Sequence, residues 1–334
     1  MCGRTACTLS PDDICKACGH SAAVDGGKGK RTSYPKWQNP PGGQKYYTSY
    51  NVAPGSHTPV LVSKKHFELD SPEEDVKKHE GEEVEEDDWV IQPMSWGLVP
   101  HWSSEPKTSG YSMINARHDG VLSKTTFKRP LEKGRRCVVL ADGYYEWHTD
   151  SSKNKQAYFI YFPRSATSDV ETVNVEQETP EWTGKRLMTF AGLFDIWRPK
   201  KGEEGAPLYS YSIITVDAHK ELSWLHERMP AILDGESEIR EWLDYGTVPL
   251  KKAMDLIRPT NSVTFHPVSS LVNDVKNKSE DCFKPVDLEK KKQSTKASAN
   301  LMMSWLSKGQ KRAPLDDPSV KEEDPSASKH AKKI

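Results

Sequence analysis

The first four residues, Met1-Cys2-Gly3-Arg4, offer the least common chemistry in the chain. With Met1 removed, Cys2 becomes the amino terminus and carries an amine and a thiol on adjacent carbons. Only a terminal cysteine places both nucleophiles on one residue. The amine condenses with an aldehyde to an imine, and the thiol closes onto the same carbon to give a five-membered thiazolidine. An α-amine titrates at about 7.7–8.0 and a free thiol at about 8.5, so both keep a nucleophilic fraction near neutrality. Alone, the tetrapeptide is better explained as an incidental Cys in a frayed terminus. Its meaning depends on what the rest of the chain sets beside it.

Four further groups carry suitable residue types. Asn115 and Arg117 follow the Gly97-Leu98-Val99-Pro100 segment. An Asn amide holds a hydroxyl or amine, and an Arg guanidinium clamps a phosphate, although both types are commonest as turn and surface residues. Glu146 stands between Tyr145 and Trp147, an apolar setting in which a carboxyl serves as a general acid or base; strand alternation equally allows it to face outward. His226-Glu227-Arg228-Met229-Pro230 sets an imidazole near a cation at a Pro-fixed turn, a place for a proton shuttle or for ordinary packing. Trp96, Trp102 and Trp147 with Arg4, Arg117 and Arg228 make an aromatic and basic set suited to unpaired bases and their phosphates. In a chain with ten Trp, a core role is the default for each. None of the four groups decides the matter alone.

The elements that must position these residues are mostly strands. The 334 residues hold enough sequence for a real core, diluted by 28% charged residues. A net charge of −1 gives no global case for nucleic acid, so any basic surface must be local. The six Cys are irregularly spaced with no secretory leader, which reads as reduced intracellular thiols. Short apolar runs at 59–62, 89–91, 136–141, 144–147, 158–162, 187–195, 211–216 and 263–268 predict strands. Helical patterns fall at 8–18, 218–225, 236–244 and 249–257. Polar stretches at about 19–45, 68–88 and 164–184 read as loops and solvated insertions. The expected class is α+β, a sandwich or barrel-like sheet system over residues 2–286. Residues 287–334 read as a disordered Lys/Ser-rich tail, with one apolar island at 301–306 as a possible partner motif.

Seven motifs stand in order: Met1-Cys2-Gly3-Arg4, Tyr50-Asn51-Val52-Ala53-Pro54, Trp96 to Pro100, Asn115-Ala116-Arg117, Ala141 to Trp147, His226 to Pro230, and His266-Pro267-Val268-Ser269. Together they closely resemble the SOS-response-associated peptidase (SRAP) family. The resemblance implies a β-rich α+β domain with a positive groove for single-stranded DNA, which traps abasic sites as a thiazolidine on the terminal Cys. It makes Cys2 the nucleophile, Asn115 the positioner of amine and sugar, and Glu146 and His226 the proton carriers. Arg4, Arg117 and Arg228 then hold phosphates and Trp96 packs against a base. Gly3, Asn51, Pro54, Trp147 and Thr215 complete the implied DNA-facing set. The chemistry calls for no metal or organic cofactor, since the aldehyde is already electrophilic. The family's peptidase name then describes self-removal of Met1. A DNA substrate and the Lys-rich tail around Lys290-Lys291-Lys292 point to a nuclear protein at replication forks, expected as a monomer, with residues 301–306 as the candidate docking segment for a replication clamp or repair factor.

Other classes stay open at this point. A thiol peptidase would use Cys2, Glu146 and His226 on protein substrates in trans. A non-catalytic reader of modified bases needs the groove but not Cys2. A zinc module built on Cys2, Cys7, Cys15 and Cys18 lacks two clean Cys-x-x-Cys pairs. A Ser-His-Asp hydrolase lacks the Gly-x-Ser-x-Gly elbow.

Overall fold

The β-branched and aromatic runs become fifteen strands among the described residues, gathered into two main sheets and one hairpin. A computed structural model describes residues 3–23, 30–68, 89–106, 113–163, 182–200, 202–290, 297 and 300–305. The Cys2 position, most of the acidic run, most of the 164–184 insertion and the tail beyond 305 lie outside them. In chain order the strands are β1 (Thr5–Cys7), β2 (His20–Ala23), β3 (Lys30–Ser33), β4 (Lys36–Trp37), β5 (Ser49–Val52), β6 (His57–Ser63), β7 (Trp89–Trp96) and β8 (Asn115–Arg117). They continue as β9 (Arg136–Ala141), β10 (Gly143–Thr149), β11 (Lys155–Tyr161), β12 (Met188–Trp197), β13 (Leu208–Asp217), β14 (Arg228–Pro230) and β15 (Thr264–Pro267).

One sheet closes on itself. Antiparallel pairings join β7 to β6, β6 to β9, β9 to β12 and β12 to β13. Parallel pairing of Ser210 and Tyr211 with Ser95 and Trp96 returns β13 to β7 and completes a five-strand barrel. Past that closure β13 runs on, taking β8 in parallel along one edge and β14 antiparallel at its end. All ten residues of β12 are buried, as expected of a strand covered on both faces. Its Phe190 and Phe194 are fully buried, each contributing about 1.5–3 kcal/mol. Gly192 sits where a Cβ would come to 3.0 Å from Cys137 Sγ and from the Ser212 carbonyl, so a side chain at this crossing of three strands would press its neighbours apart.

The second sheet has the order β15-β11-β10-β1-β5, antiparallel throughout. The chain passes from barrel to second sheet through Asp142 and Gly143. A Cβ on Gly143 would meet the Ile160 carbonyl at 2.4 Å and the Phe159 ring at 2.5 Å, so the Asp-Gly pair allows a backbone approach no other residue permits. Asp142 is buried and holds Thr8 Oγ1 at 2.6 Å and Lys185 Nζ at 3.1 Å.

Helices are few and short. α1 (Pro11–Ala17) lies inside the expected 8–18 and is capped by Ser10, whose Oγ accepts from Asp13 N at 3.2 Å. α2 (Lys65–Glu68), α3 (His118–Val121) and α4 (Thr125–Glu132) follow. α5 (Glu236–Leu243) packs on β9, where Trp242 Nε1 donates to the Cys137 carbonyl at 2.9 Å. α6 (Leu250–Met254) is shorter than the expected 249–257. The expected helix at 218–225 is instead a succession of turns closed by Leu222 N to His219 O and Leu225 N to Leu222 O. Its apolar residues serve docking: Trp224 lies against Tyr158, His148 and Phe265. The 19–45 stretch is not all loop either, since β2 pairs with β3 and β4 joins β7. Backbone pairing does not require the apolar residues whose absence suggested a loop.

The chain divides into two compact units, Met1–Val286 and Asp287–Ile334. In the second, a helical run over 300–305 exposes Leu301, Met302, Met303 and Trp305. Among the described residues, no helix is long and apolar enough to cross a membrane.

Candidate active site

The register of β1 on β10 delivers the amino-terminal end of the chain to Glu146. Thr5 pairs with Tyr144 and Ala6 with Gly143, and Tyr145 N donates to Arg4 O at 2.9 Å. Continuing that register sets Gly3 opposite Glu146. Cys2 lies outside the described residues, but it is bonded to Gly3, and consecutive Cα atoms are about 3.8 Å apart. Glu146 is 5% exposed, a protein-lined setting suited to a general acid or base.

Arg4 fixes the terminal strand. Its Nη1 donates to Asn51 Oδ1 and to the Val272 carbonyl, both at 2.7 Å, and the guanidinium lies 5.8 Å from the centre of the Trp147 ring. Asn51 is fully buried at the end of β5, and its Nδ2 reaches the carbonyls of Val272, Asp274 and Asn277 at 3.2, 2.9 and 2.8 Å. Trp147 Nε1 donates to Asn273 Oδ1 at 2.8 Å. Arg4, Asn51 and Trp147 thus clamp the 270–277 segment onto the terminal strand. Sequence reasoning gave this segment no role; its side-chain signal, Asn273 and Asn277 in a turn-rich stretch, is generic.

His226 reaches the same sheet through its loop. Trp224 docks edge-on against Tyr158, with ring centres 5.1 Å apart, and its carbonyl lies 2.8 Å from His148 Nδ1. Tyr158 is the cross-strand partner of Glu146, so Trp224, two residues before His226, docks on the strand residue that faces Glu146. His226 Nδ1 accepts from Arg228 N at 2.9 Å, which leaves the neutral ring its proton on Nε2.

From His226 the network runs into the barrel rim. Arg228 is 7% exposed and donates through Nη1 to Asp217 Oδ1 at 2.9 Å and through Nη2 to the Thr215 carbonyl at 3.0 Å. Thr215 pairs across β13 with Arg117 on one side and Pro230 on the other. Arg117 holds Asp119 through Nε at 3.1 Å and Nη2 at 2.6 Å, and Asp119 lies 3.9 Å from Arg228. Hydrogen bonding from Arg117 holds the Asp119 carboxyl below its usual range. Asp119 and Asp217, which sequence reasoning missed, therefore occupy two of the three arginines it had assigned to phosphates; the third, Arg4, donates instead to Asn51 and Val272. Both pairs are open to solvent on the acidic side, with 58% and 86% of those side chains exposed, so a phosphate can displace them cheaply. Thr215 Oγ1 and Arg228 Nε are buried without a hydrogen-bond partner among the described residues, a condition typical of places that a ligand or water completes. Asn115 begins β8 on the same rim, beside Ile213.

Trp96 is a correction. It was expected to pack against a base, but it is fully buried, parallel to Tyr211 and donating to the Ile114 carbonyl at 3.1 Å. It ends β7 inside the barrel wall and offers no face to a ligand. Gly97, at φ 124°, turns the chain away immediately after it. Trp102, five residues on, is 59% exposed. Pro54 caps the neighbouring turn, where Gly55 N donates to the Trp96 carbonyl. Among the described residues no group of three or more His, Cys, Asp or Glu is gathered for a metal ion.

Fold and site together define a class. The model of the SOS response associated peptidase (SRAP) family matches residues 1–275, and the chain belongs to that family. Among curated relatives it is 43% identical to the abasic site processing protein HMCES of Xenopus tropicalis, covering 98% of this chain and 90% of that one. It is 44% identical to the HMCES of Rattus norvegicus over 95% and 86% of the two chains. The abasic site processing protein YoaM of Bacillus subtilis is 31% identical over 70% of this chain and 84% of its own. A crystal structure of a protein from Bacteroides thetaiotaomicron shares the fold, with a TM-score of 0.57 at 20% identity over 86% of this chain and all of the other.

Proposed function

We propose that this protein captures abasic sites in single-stranded DNA as a covalent adduct on Cys2 once Met1 is removed. The Cys2 amine attacks the ring-opened sugar aldehyde, and loss of one water leaves an imine. The thiol sulfur then adds to the same carbon while its proton passes to the nitrogen, giving a thiazolidine. Reversal takes the water back. Glu146 and His226 move the protons of ring opening, imine formation and reversal; Asn115 holds the amine and sugar. Arg117 and Arg228 exchange Asp119 and Asp217 for backbone phosphates. Met1 leaves by the protein's own peptidase action, after which the adduct shields the lesion at a nuclear replication fork, with the tail available to a clamp or repair factor.

The observation that carries this reading is the β1–β10 register, which brings the amino-terminal strand to a buried carboxyl whose cross-strand neighbour also seats the His226 turn. The relatives named for abasic site processing support it. Intact-mass spectrometry before and after incubation with single-stranded DNA carrying one abasic site tests it. The expected result is loss of Met1 and one adduct on Cys2, absent in Cys2→Ala. Retained Met1, or full adduct yield from Cys2→Ala, would overturn it.

A further inference from the structure

Next to Asn51, whose carbonyl accepts from Lys278, the surface opens into a cavity of about 290 Å³ lined by Lys45, Tyr47, Thr48, Ser49, Val52, Ser56, His57 and Lys278. Its polar lining is one-sided. Two ammonium groups, an imidazole and four hydroxyl-bearing side chains face it, and none of the lining residues is acidic. Such a lining favours an anion able to accept several hydrogen bonds at once.

The cations are held there at a cost. Lys278 Nζ donates to the Asn51 carbonyl, and desolvation together with the nearby Arg4 pushes its pKa below the ordinary lysine value. Burial likewise lowers His57. Two cations, Arg4 and Lys278, are thus gathered around one asparagine. An anion in the cavity relieves that repulsion. Tyr47 stands at the edge, 74% exposed. An exposed ring beside paired lysines is the combination that single-stranded nucleic acid uses, bases on the aromatic and backbone on the cations.

We propose that this cavity is a phosphate subsite: it takes a backbone phosphodiester of the DNA strand next to the captured nucleotide, held by Lys45 and Lys278, with Tyr47 under an adjacent base. The proposal rests on the DNA-capture reading for its strand, and it adds a second contact zone that shares no residue with the Arg117 and Arg228 rim. A strand engaged at both zones is held in one polarity across the site. Neither Lys45 nor Tyr47 belongs to any of the seven motifs.

The test is non-covalent binding of a labelled single-stranded oligonucleotide without an abasic site, by anisotropy over a salt series. Lys45→Gln and Lys278→Gln sit on exposed side chains, and a thermal melt confirms that each variant folds. Each is expected to reduce the slope of log affinity against log salt by about 0.7, equivalent to about a fivefold loss at 0.1 M relative to 1 M salt. Replacing linkages one at a time with neutral methylphosphonate is expected to reproduce the loss at a single position in the wild-type protein and to have no further effect there in the double variant. Unchanged slopes in both folded variants, or equal sensitivity at every linkage, overturn the subsite. So does protection of the two lysines by inorganic phosphate alone with no contribution to oligonucleotide binding, which identifies a free-anion pocket. Adduct formation with abasic DNA is scored separately: lysine-dependent binding without any adduct leaves the subsite standing and removes the capture reading.

Discussion

At the scale of single residues, Glu146 separates a chemical role from a binding one. Its carboxyl is buried in the sheet that receives the amino-terminal strand, next to the residue that seats the His226 turn. Glu146→Gln keeps the shape and removes the exchangeable proton. Adduct formation or reversal is expected to slow about 100-fold, with DNA affinity nearly unchanged, as read by quenched-flow adduct assays beside anisotropy. Equal loss of rate and affinity would make Glu146 a structural residue. The motif containing Glu146 was legible in the sequence because a carboxyl between two aromatics is chemically marked. Asp119 and Asp217 were not, since nothing local marks an acid as an arginine's partner. Asp119 stands two residues beyond Arg117 and Asp217 faces Arg228 across the β13–β14 register, while the 3.9 Å approach of Asp119 to Arg228 depends on β8 lying parallel to β13. Trp96 was misjudged for a related reason: a Trp before a Gly looks the same whether its ring faces a groove or the barrel wall.

At the scale of elements, the site is a joint between the terminal strand and the 270–277 segment, and Asn51 is its pin. One buried amide accepts from Arg4 and donates toward three carbonyls of that segment. Asn51→Ala strands those carbonyls and the guanidinium together. The expected cost is about 2 kcal/mol of stability, measured by urea unfolding, with faster proteolysis within 270–278 and a parallel fall in adduct yield. A variant that loses adduct yield with neither change would give Asn51 a direct contact with substrate instead. The strands of the barrel were legible because continuous apolar runs have few alternatives once helical periodicity is absent. The turn at 218–225 was not: Leu222, Trp224 and Leu225 fit a helical face, and only docking of Trp224 onto Tyr158 decides for turns. Tertiary contact overrides local propensity in such short segments.

At the scale of the whole molecule, the fold makes its thiols unequal. Six cysteines are present, and burial pushes all five described ones upward. Desolvation raises Cys7, Cys18 and Cys137 far above the ordinary thiol range, raises Cys282, and brings Cys15 up to about 11. A thiol with a pKa near 11 is thiolate in only about one molecule per thousand at pH 8, and the thiolate is the reacting form. The fold therefore holds the five described thiols above their ordinary range, and Cys2, the thiol the proposed chemistry needs, lies outside the described residues. Brief iodoacetamide treatment of the folded protein at pH 8 is expected to label Cys2 alone, whereas unfolding in guanidinium should expose all six, as read by peptide mapping. Prior incubation with abasic single-stranded DNA should abolish the native label, because ring closure consumes the Cys2 sulfur. An imine without ring closure would leave the thiol free and the label intact. Labelling of Cys15 or Cys282 at the rate of Cys2 would show that burial does not set thiol reactivity here. Loss of the Cys2 label only with abasic DNA, and not with an intact strand, ties the surviving nucleophile to the lesion's aldehyde instead of to occlusion by bound DNA.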